Sequence, residues 1–279
     1  MITLRKGADY ATVFPWKGAS VRDWVVDGNE VLYHNEESFA QPQVKYQGGI
    51  PVMFPIFSTA KLDGASSVYY DSKKITLEQH GLARLSQAWR ANHINENQVV
   101  CYLQSNEETL KLFPYKFEFK YTVTLEDRCL KIEQEVINDD EGMMPFVAGI
   151  HPFFNVSHIK NIEVAGIPYG TPYYLQLNSG ERDFNAKLNE AFPFGDQEIN
   201  HHFRFSGQKV RLYDRGNGRC VEILKSKSYP CITVWSEPQN PFVCIEPVSG
   251  RRGALETRED LIRLEKGECW KGEILFKLL

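Results

Sequence analysis

Long apolar runs are missing from this 279-residue chain. The least polar stretch, GMMPFVAGI at residues 142–150, falls far short of the roughly 20 residues a membrane-spanning helix needs, so no membrane partner is expected. The opening residues, MITLRKGADYATVF, contain no apolar core of a secretory leader, and a cytoplasmic location is the expectation. An excess of either charge is also absent. Basic residues number 32 and acidic ones 36, a net charge of −4 that leaves no cationic footprint for nucleic acid. The six cysteines form no C-x-x-C pair and several fall within apparent strands, so they are read as free, buried, structural thiols rather than a metal or disulfide framework. In that setting the Asn155-Val156-Ser157 sequon carries no meaning. No linker, charge block, low-complexity tract or repeat divides residues 1–279, which read as one domain. Helical signals are scarce: Asn106 can cap NEETLKLF, and Thr257 with Asp260 can cap a short turn near DLIRL.

Abundant instead are aromatics, at 13%, and alternation of apolar with polar residues, both of which suit pleated strands. Phe117, Phe119, Tyr121, Val123 and Leu125 share one face of a strand, with Glu118, Lys120, Thr122 and Thr124 on the wetter one. After Glu126-Asp127-Arg128 the segment 130–137 reads as its hairpin partner. Residues 98–103, 209–213, 219–224, 231–235, 242–246 and 273–278 are further strands, with a turn at 215–218. The pattern predicts an all-β chain built as a large antiparallel sandwich.

Four segments set Gly, Pro, His, Arg or Glu beside apolar strands. QGGIPVMFP (47–55) fixes an irregular backbone, either as a plain tight connection or as part of a site. QHGLAR (79–84), closely followed by Trp89, sets His80 and Arg84 four apart around a glycine, on a loop that is either merely solvated or presents donors. AGIHPFFNV (148–156) embeds His151 among apolar residues, where a neutral core histidine competes with a functional one. PFVCIEPVSG (241–250) ends an apolar run on Glu246, which needs a partner there; Arg251 or Arg252 could pair with it, or it could act on a ligand.

Taken in order, QGGIPVMFP, QHGLAR, IHPFFN and VWSEPQNPFVCIEP, followed by LEKGECW at 264–270, resemble the aldose 1-epimerase (galactose mutarotase-like) superfamily, and especially its shorter branch that includes the hexose-6-phosphate mutarotases. The resemblance implies a β-supersandwich of two large antiparallel sheets with few short helices, binding sugar in a concave face. It assigns His151 as general acid and Glu246 as general base, with Gln79, His80 and Arg84 as sugar-binding groups and Leu82 where Phe is common. INHHFRF (199–205) looks like the family's D-H-x-F motif, with Asn200 in the aspartate slot, where a neutral amide can still hydrogen-bond a sugar hydroxyl. Phosphate-sugar members resemble R-G-G-I-P, whereas this chain has Gln47, and an amide cannot replace a bidentate cationic clamp. An unphosphorylated aldose is therefore favoured, with glucose-6-phosphate 1-epimerase as the alternative.

The implied reaction interconverts α and β anomers of a hexose. Glu246 takes the anomeric hydroxyl proton while His151, as imidazolium, donates to the ring oxygen, and the roles reverse on reclosure. Both charge movements are proton transfers, so neither a cofactor nor a metal is expected, and adjacent His201 and His202 suit opposite strand faces better than shared ligation. Partners reduce to the small-molecule sugar and at most a second copy of the chain, as monomer or homodimer. Two other readings compete: a glycoside hydrolase or lyase, which would normally need two carboxylates across the scissile bond, and a catalytically silent carbohydrate-binding protein, favoured by the Gln47 and Asn200 departures.

Overall fold

The computed structural model describes residues 1–41, 44–177 and 182–279. Two eight-stranded antiparallel sheets make up most of it, as the alternation requires. The outer sheet runs, edge to edge, through Ile162–Ala165, Lys209–Asp214, Arg219–Lys225, Cys269–Leu278, Cys129–Asn138, Phe117–Glu126, Gln98–Gln104 and Arg90–Asn95. The inner sheet runs through Arg182–Lys187, Pro172–Gln176, Ile199–Arg204, Cys231–Ser236, Phe242–Val248, Gly149–Ile150 and Val52–Met53, with Phe153–Asn155 also paired to Phe242–Val248. A smaller four-stranded sheet is formed by Ile2–Lys6, Asp9–Phe14, Ser20–Val26 and Asn29–Glu30.

Each strand expected from alternation is a strand here. Phe117, Phe119, Tyr121, Val123 and Leu125 are all buried between the layers, and Phe117–Glu126 pairs with Cys129–Asn138 as a hairpin. The opposite face of that strand is drier than expected: Thr122 and Thr124 are buried too, because Ile2–Lys6 packs against it. Phe54 occupies the middle of the core, its ring meeting those of Phe113, Phe117, Phe119 and Phe146 at 4.9–6.0 Å. A polar strut crosses the same layer: Tyr229 donates to the Gln134 Oε1 at 2.8 Å, and the Gln134 Nε2 donates to the Gly149 carbonyl at 3.1 Å. Buried amides and hydroxyls are tolerated only when satisfied in this way.

Asn106 caps Glu107–Leu112 through a reciprocal box with Thr109. The second helical expectation is corrected. Thr257 closes the helix Ala254–Thr257 instead of opening a turn, and the apolar residues after it form Ile262–Leu264, paired with Met144–Phe146. The cysteine reading holds for five residues. Cys269 is exposed, since it starts Cys269–Leu278 on the outward phase of the pleat. Among the described residues no helix is long and apolar enough to cross a membrane.

Candidate active site

Irregular backbone, more than regular strand, shapes the site. Gly49 has φ +59°, and a Cβ there would sit 2.2 Å from the Val21 carbonyl oxygen, so only glycine lets the 47–55 segment pass so close to a strand. Phe54 then fastens the loop that begins at Gln79. Its carbonyl accepts from Leu82 and Ala83 at 2.9 and 3.1 Å, and its amide donates to the His80 carbonyl. Gly81, at φ +80°, lies so near that a Cβ would meet the Phe54 oxygen at 2.2 Å. His80 itself adopts φ +64°, a left-handed conformation uncommon for any non-glycine residue, which surrounding contacts must hold. Its Nδ1 accepts the Ser58 amide at 3.1 Å, which leaves Nε2 to carry the proton of the neutral ring. Trp89 donates from its indole to the Ala83 carbonyl at 2.9 Å and secures the far side of the loop.

The inner sheet supplies the opposite wall. Register places Glu246 opposite Thr233, and Thr233 opposite His202; Trp235 lies opposite both Asn200 and Cys244. Alternation then turns Asn200, Thr233, Trp235 and Glu246 towards one concave face. His202 shares that face, stacked on Phe57 and bonded through Nδ1 to the Thr233 hydroxyl at 2.7 Å. His201 points the other way, stacked on Tyr173, so the two adjacent histidines do occupy opposite faces. His151, immediately after Gly149–Ile150, donates its backbone N–H to the Pro51 carbonyl, is stacked on Phe153 at 4.7 Å and is met edge-on by Trp235.

These elements enclose a cavity of about 320 Å³. Gln79, His80, Arg84, His151, Asn200 and Glu246, the six residues singled out in sequence, all line it, as does Gln47. His151 Nε2 and Glu246 Oε1 stand 3.5 Å apart, close enough to share a ligand oxygen yet too far for a strong direct hydrogen bond. His151 Nδ1, Glu246 Oε2 and Arg84 Nε are buried with no hydrogen-bond partner among the described residues, the kind of orphaned atoms a bound polar ligand would satisfy. Burial pushes the Glu246 carboxyl up to about 8, against the pull of Arg252 and Arg84. Burial, followed by the charge of Arg84, drives the His151 imidazole down to about 3. Burial also brings the Arg84 guanidinium down to about 10, partly opposed by Glu246 and Glu78. Burial thus favours the uncharged form of each member of the pair, the opposite direction to the imidazolium and carboxylate expected from sequence.

Other lining residues were not assigned to the site from sequence. Lys45, Gln176, Trp235, Glu237 and Arg252 all face the cavity. Trp235 and Glu237 lay in a quoted motif and share the parity of Thr233, a signal that alternation could have used. Arg252 was named only as a possible partner of Glu246, on whose carboxyl its charge does act, and Gln176 carried no signal. LEKGECW lies elsewhere: its Trp270 packs on Phe146 and Tyr229 in the core, so that segment shapes the sandwich and contributes nothing to the cavity wall.

Comparison with known proteins bears on the family and the fold. The family model for aldose 1-epimerase matches residues 1–277. Protein LacX (chromosomal) of Lactococcus lactis subsp. lactis is 25% identical over 258 residues, covering 82% of this chain and 81% of LacX. A Salmonella typhimurium protein named "Putative glucose-6-phosphate 1-epimerase" is 30% identical over 184 residues, 64% of this chain and 56% of that protein. The crystal structure of the Slr1438 protein from Synechocystis sp. PCC 6803 superposes with a TM-score of 0.88 at 26% identity, covering 99% of this chain and 94% of that one. An imidazole and a carboxylate meeting in a concave sheet, on a backbone shared over nearly the whole chain, place it in the aldose 1-epimerase family as a sugar isomerase of the mutarotase type.

Proposed function

We propose that His151 and Glu246 are the acid–base pair that interconverts the α and β anomers of a hexose, while Gln79, His80, Arg84 and Asn200 hold the sugar. The observation that carries this reading is the 3.5 Å approach of His151 Nε2 to Glu246 Oε1, both side chains nearly buried, in the cavity those four residues line. Ring opening needs one group to take the anomeric hydroxyl proton and another to protonate the ring oxygen. A pair holding a single proton can do both, and its two proton distributions are the two ends of one turnover. With the proton on Glu246, the carboxyl protonates one sugar oxygen as His151 accepts from the other. The open aldehyde then faces a carboxylate and an imidazolium, the charge state in which Glu246 is base and His151 is acid. After the carbonyl rotates, reclosure runs the transfers backwards and restores the pair. Trp235 and Phe153 flank the imidazole and keep water from it, which favours proton transfer to sugar over solvent.

The test follows anomer exchange of freshly dissolved α-glucose or α-galactose by polarimetry or NMR. His151→Asn and Glu246→Gln should each lower kcat by about 10²–10⁴-fold, the usual contribution of one positioned acid or base. Near wild-type turnover in both variants would end the proposal.

A further inference from the structure

Lys17 is a buried cation with no part in the proton transfers, and only 2% of it is exposed. It ends the turn Pro15–Lys17, and its Nζ donates to the Ser38 and Val44 carbonyls at 3.0 Å each and to the Gln41 carbonyl. Ser38 belongs to the short helix Glu36–Ala40 and Gln41 follows it, so the ammonium serves carbonyls that a helix end leaves without partners. A lysine is rarely buried, because desolvating its charge is expensive unless its N–H groups are bonded. Here three donors meet three backbone acceptors, which fixes where those acceptors lie.

The chain held in this way runs directly into the cavity wall. Val44 precedes Lys45, Tyr46 and Gln47, all of which line the cavity. The Ser38 Oγ accepts the Gln47 amide at 3.1 Å, and the Tyr46 ring packs on that of Phe39 at 5.1 Å. The residue after Lys17 meets a second wall segment. Gly18, at φ +66°, lies so close to the loop from Gln79 that a Cβ would sit 2.3 Å from the Arg84 carbonyl oxygen. Lys45 and Glu78 join the two segments through an ion pair at 3.6 Å, exposed and therefore weak by itself. Displacement of residues 45–47 is stopped before it reaches the reacting pair. The Gly49 and Ile50 amides donate to the Tyr33 and Val21 carbonyls at 2.7 Å each, ahead of Pro51 and its bond from His151.

We infer that Lys17 is a positioning residue for sugar binding: by holding Ser38, Gln41 and Val44 it sets Lys45, Tyr46 and Gln47 against the Arg84 loop, and it governs affinity while leaving the proton transfers alone. The inference rests on the mutarotase reading for the identity of the ligand. Lys17→Met keeps the length of the side chain and removes its donors, and the freed carbonyls turn to water, since Gln41 and Val44 are already exposed. In the folded variant, checked by circular dichroism, two constants should rise together by about 10- to 100-fold. They are KM for anomer exchange of glucose or galactose and Kd for the corresponding methyl glycoside, which cannot open, by calorimetry. The kcat should stay within about threefold of wild type. A purely structural role would lower the melting temperature and leave both constants unchanged well below it. Ser38→Ala removes the half-buried hydroxyl that holds Gln47 and leaves Lys17 in place; it should raise the same constants by about three- to tenfold, and it decides the matter alone if Lys17→Met does not fold. Unchanged KM and Kd, or a loss confined to kcat, overturns the positioning role while anomer exchange by the wild type keeps the mutarotase reading. Weaker glycoside binding by the variants of a protein that exchanges no anomers upholds the positioning role and ends that reading. A wild type that neither exchanges anomers nor binds either glycoside overturns both.

Discussion

At residue scale the proposed acid–base pair should govern both rate and stability. In the proposed mechanism, turnover needs one proton on His151 and Glu246 together. Losing it, as pH passes about 8, removes the acid, and gaining a second, near about 3, removes the base. The pH profile of kcat/KM should therefore stay flat through the range about 5 to 7 and fall on an alkaline limb near the Glu246 value. An acid limb at the ordinary histidine value would contradict the pairing. Stability shifts oppositely for the two groups. The Glu246 carboxyl is raised from 4.5 to about 8, so its burial costs nothing below the ordinary value and destabilises progressively as pH rises through the folded one. The His151 imidazole is depressed from 6.5 to about 3, and its burial costs stability only as pH falls below 6.5. Glu246→Gln should accordingly gain on wild type at pH about 9 relative to pH about 5, by up to roughly 4 kcal/mol at about 1.4 kcal/mol per unit. Equal differences at both pH values, by chemical denaturation, would refute the assignment of the proton.

Among the elements, the loop that starts at Gln79 depends most on a single backbone contact. Gly81 lies at φ +80° with the Phe54 carbonyl where its Cβ would be. Gly81→Ala must move the loop away from Phe54, and His80 and Arg84 move with it. The expected cost is about 2–4 kcal/mol, the strain of a left-handed non-glycine plus a lost close approach. KM for sugar should rise at least about tenfold even at temperatures where the variant remains folded. Circular dichroism melts combined with KM measured well below the transition would check both; an unchanged KM would mean that the loop does not position sugar-binding groups.

Over the whole molecule, the core and the cavity share one residue. The Phe54 ring fills the layer between the sheets, and its backbone ties the Gln79 loop to the inner sheet's edge. Phe54→Ala should cost about 3–5 kcal/mol through the cavity left behind. Because the backbone hydrogen bonds remain available, the folded fraction should retain anomer exchange within a few-fold of wild type. Loss of activity without loss of stability would show that the ring itself sets the site. The −4 net charge of the chain is thus no guide to its cavity, where cations outnumber carboxylates.

How much was legible beforehand differs by residue. Alternation alone identified Phe117–Glu126 and its neighbours, because a half-buried pleat forces a period of two on any sequence that satisfies it. The N-terminal strands were not read, since Ile2–Lys6 and Ser20–Val26 mix charge and apolar residues without clean alternation. His151, Glu246 and Arg84 stood out because glycine, proline and a charged residue beside apolar strands are expensive unless used. Gln176 was silent, and Arg252 was named only as a possible partner of Glu246; the two lie 76 residues apart with no local pattern to join them. The amino-acid order by itself determined the strands, which depend on local periodicity, and the ordered motifs whose resemblance to a family implied His151 and Glu246 as the reacting groups. Tertiary structure alone decided which charged and polar side chains the cavity gathers and the direction in which burial shifts them, because desolvation and cross-strand contacts exist only once distant segments are packed together.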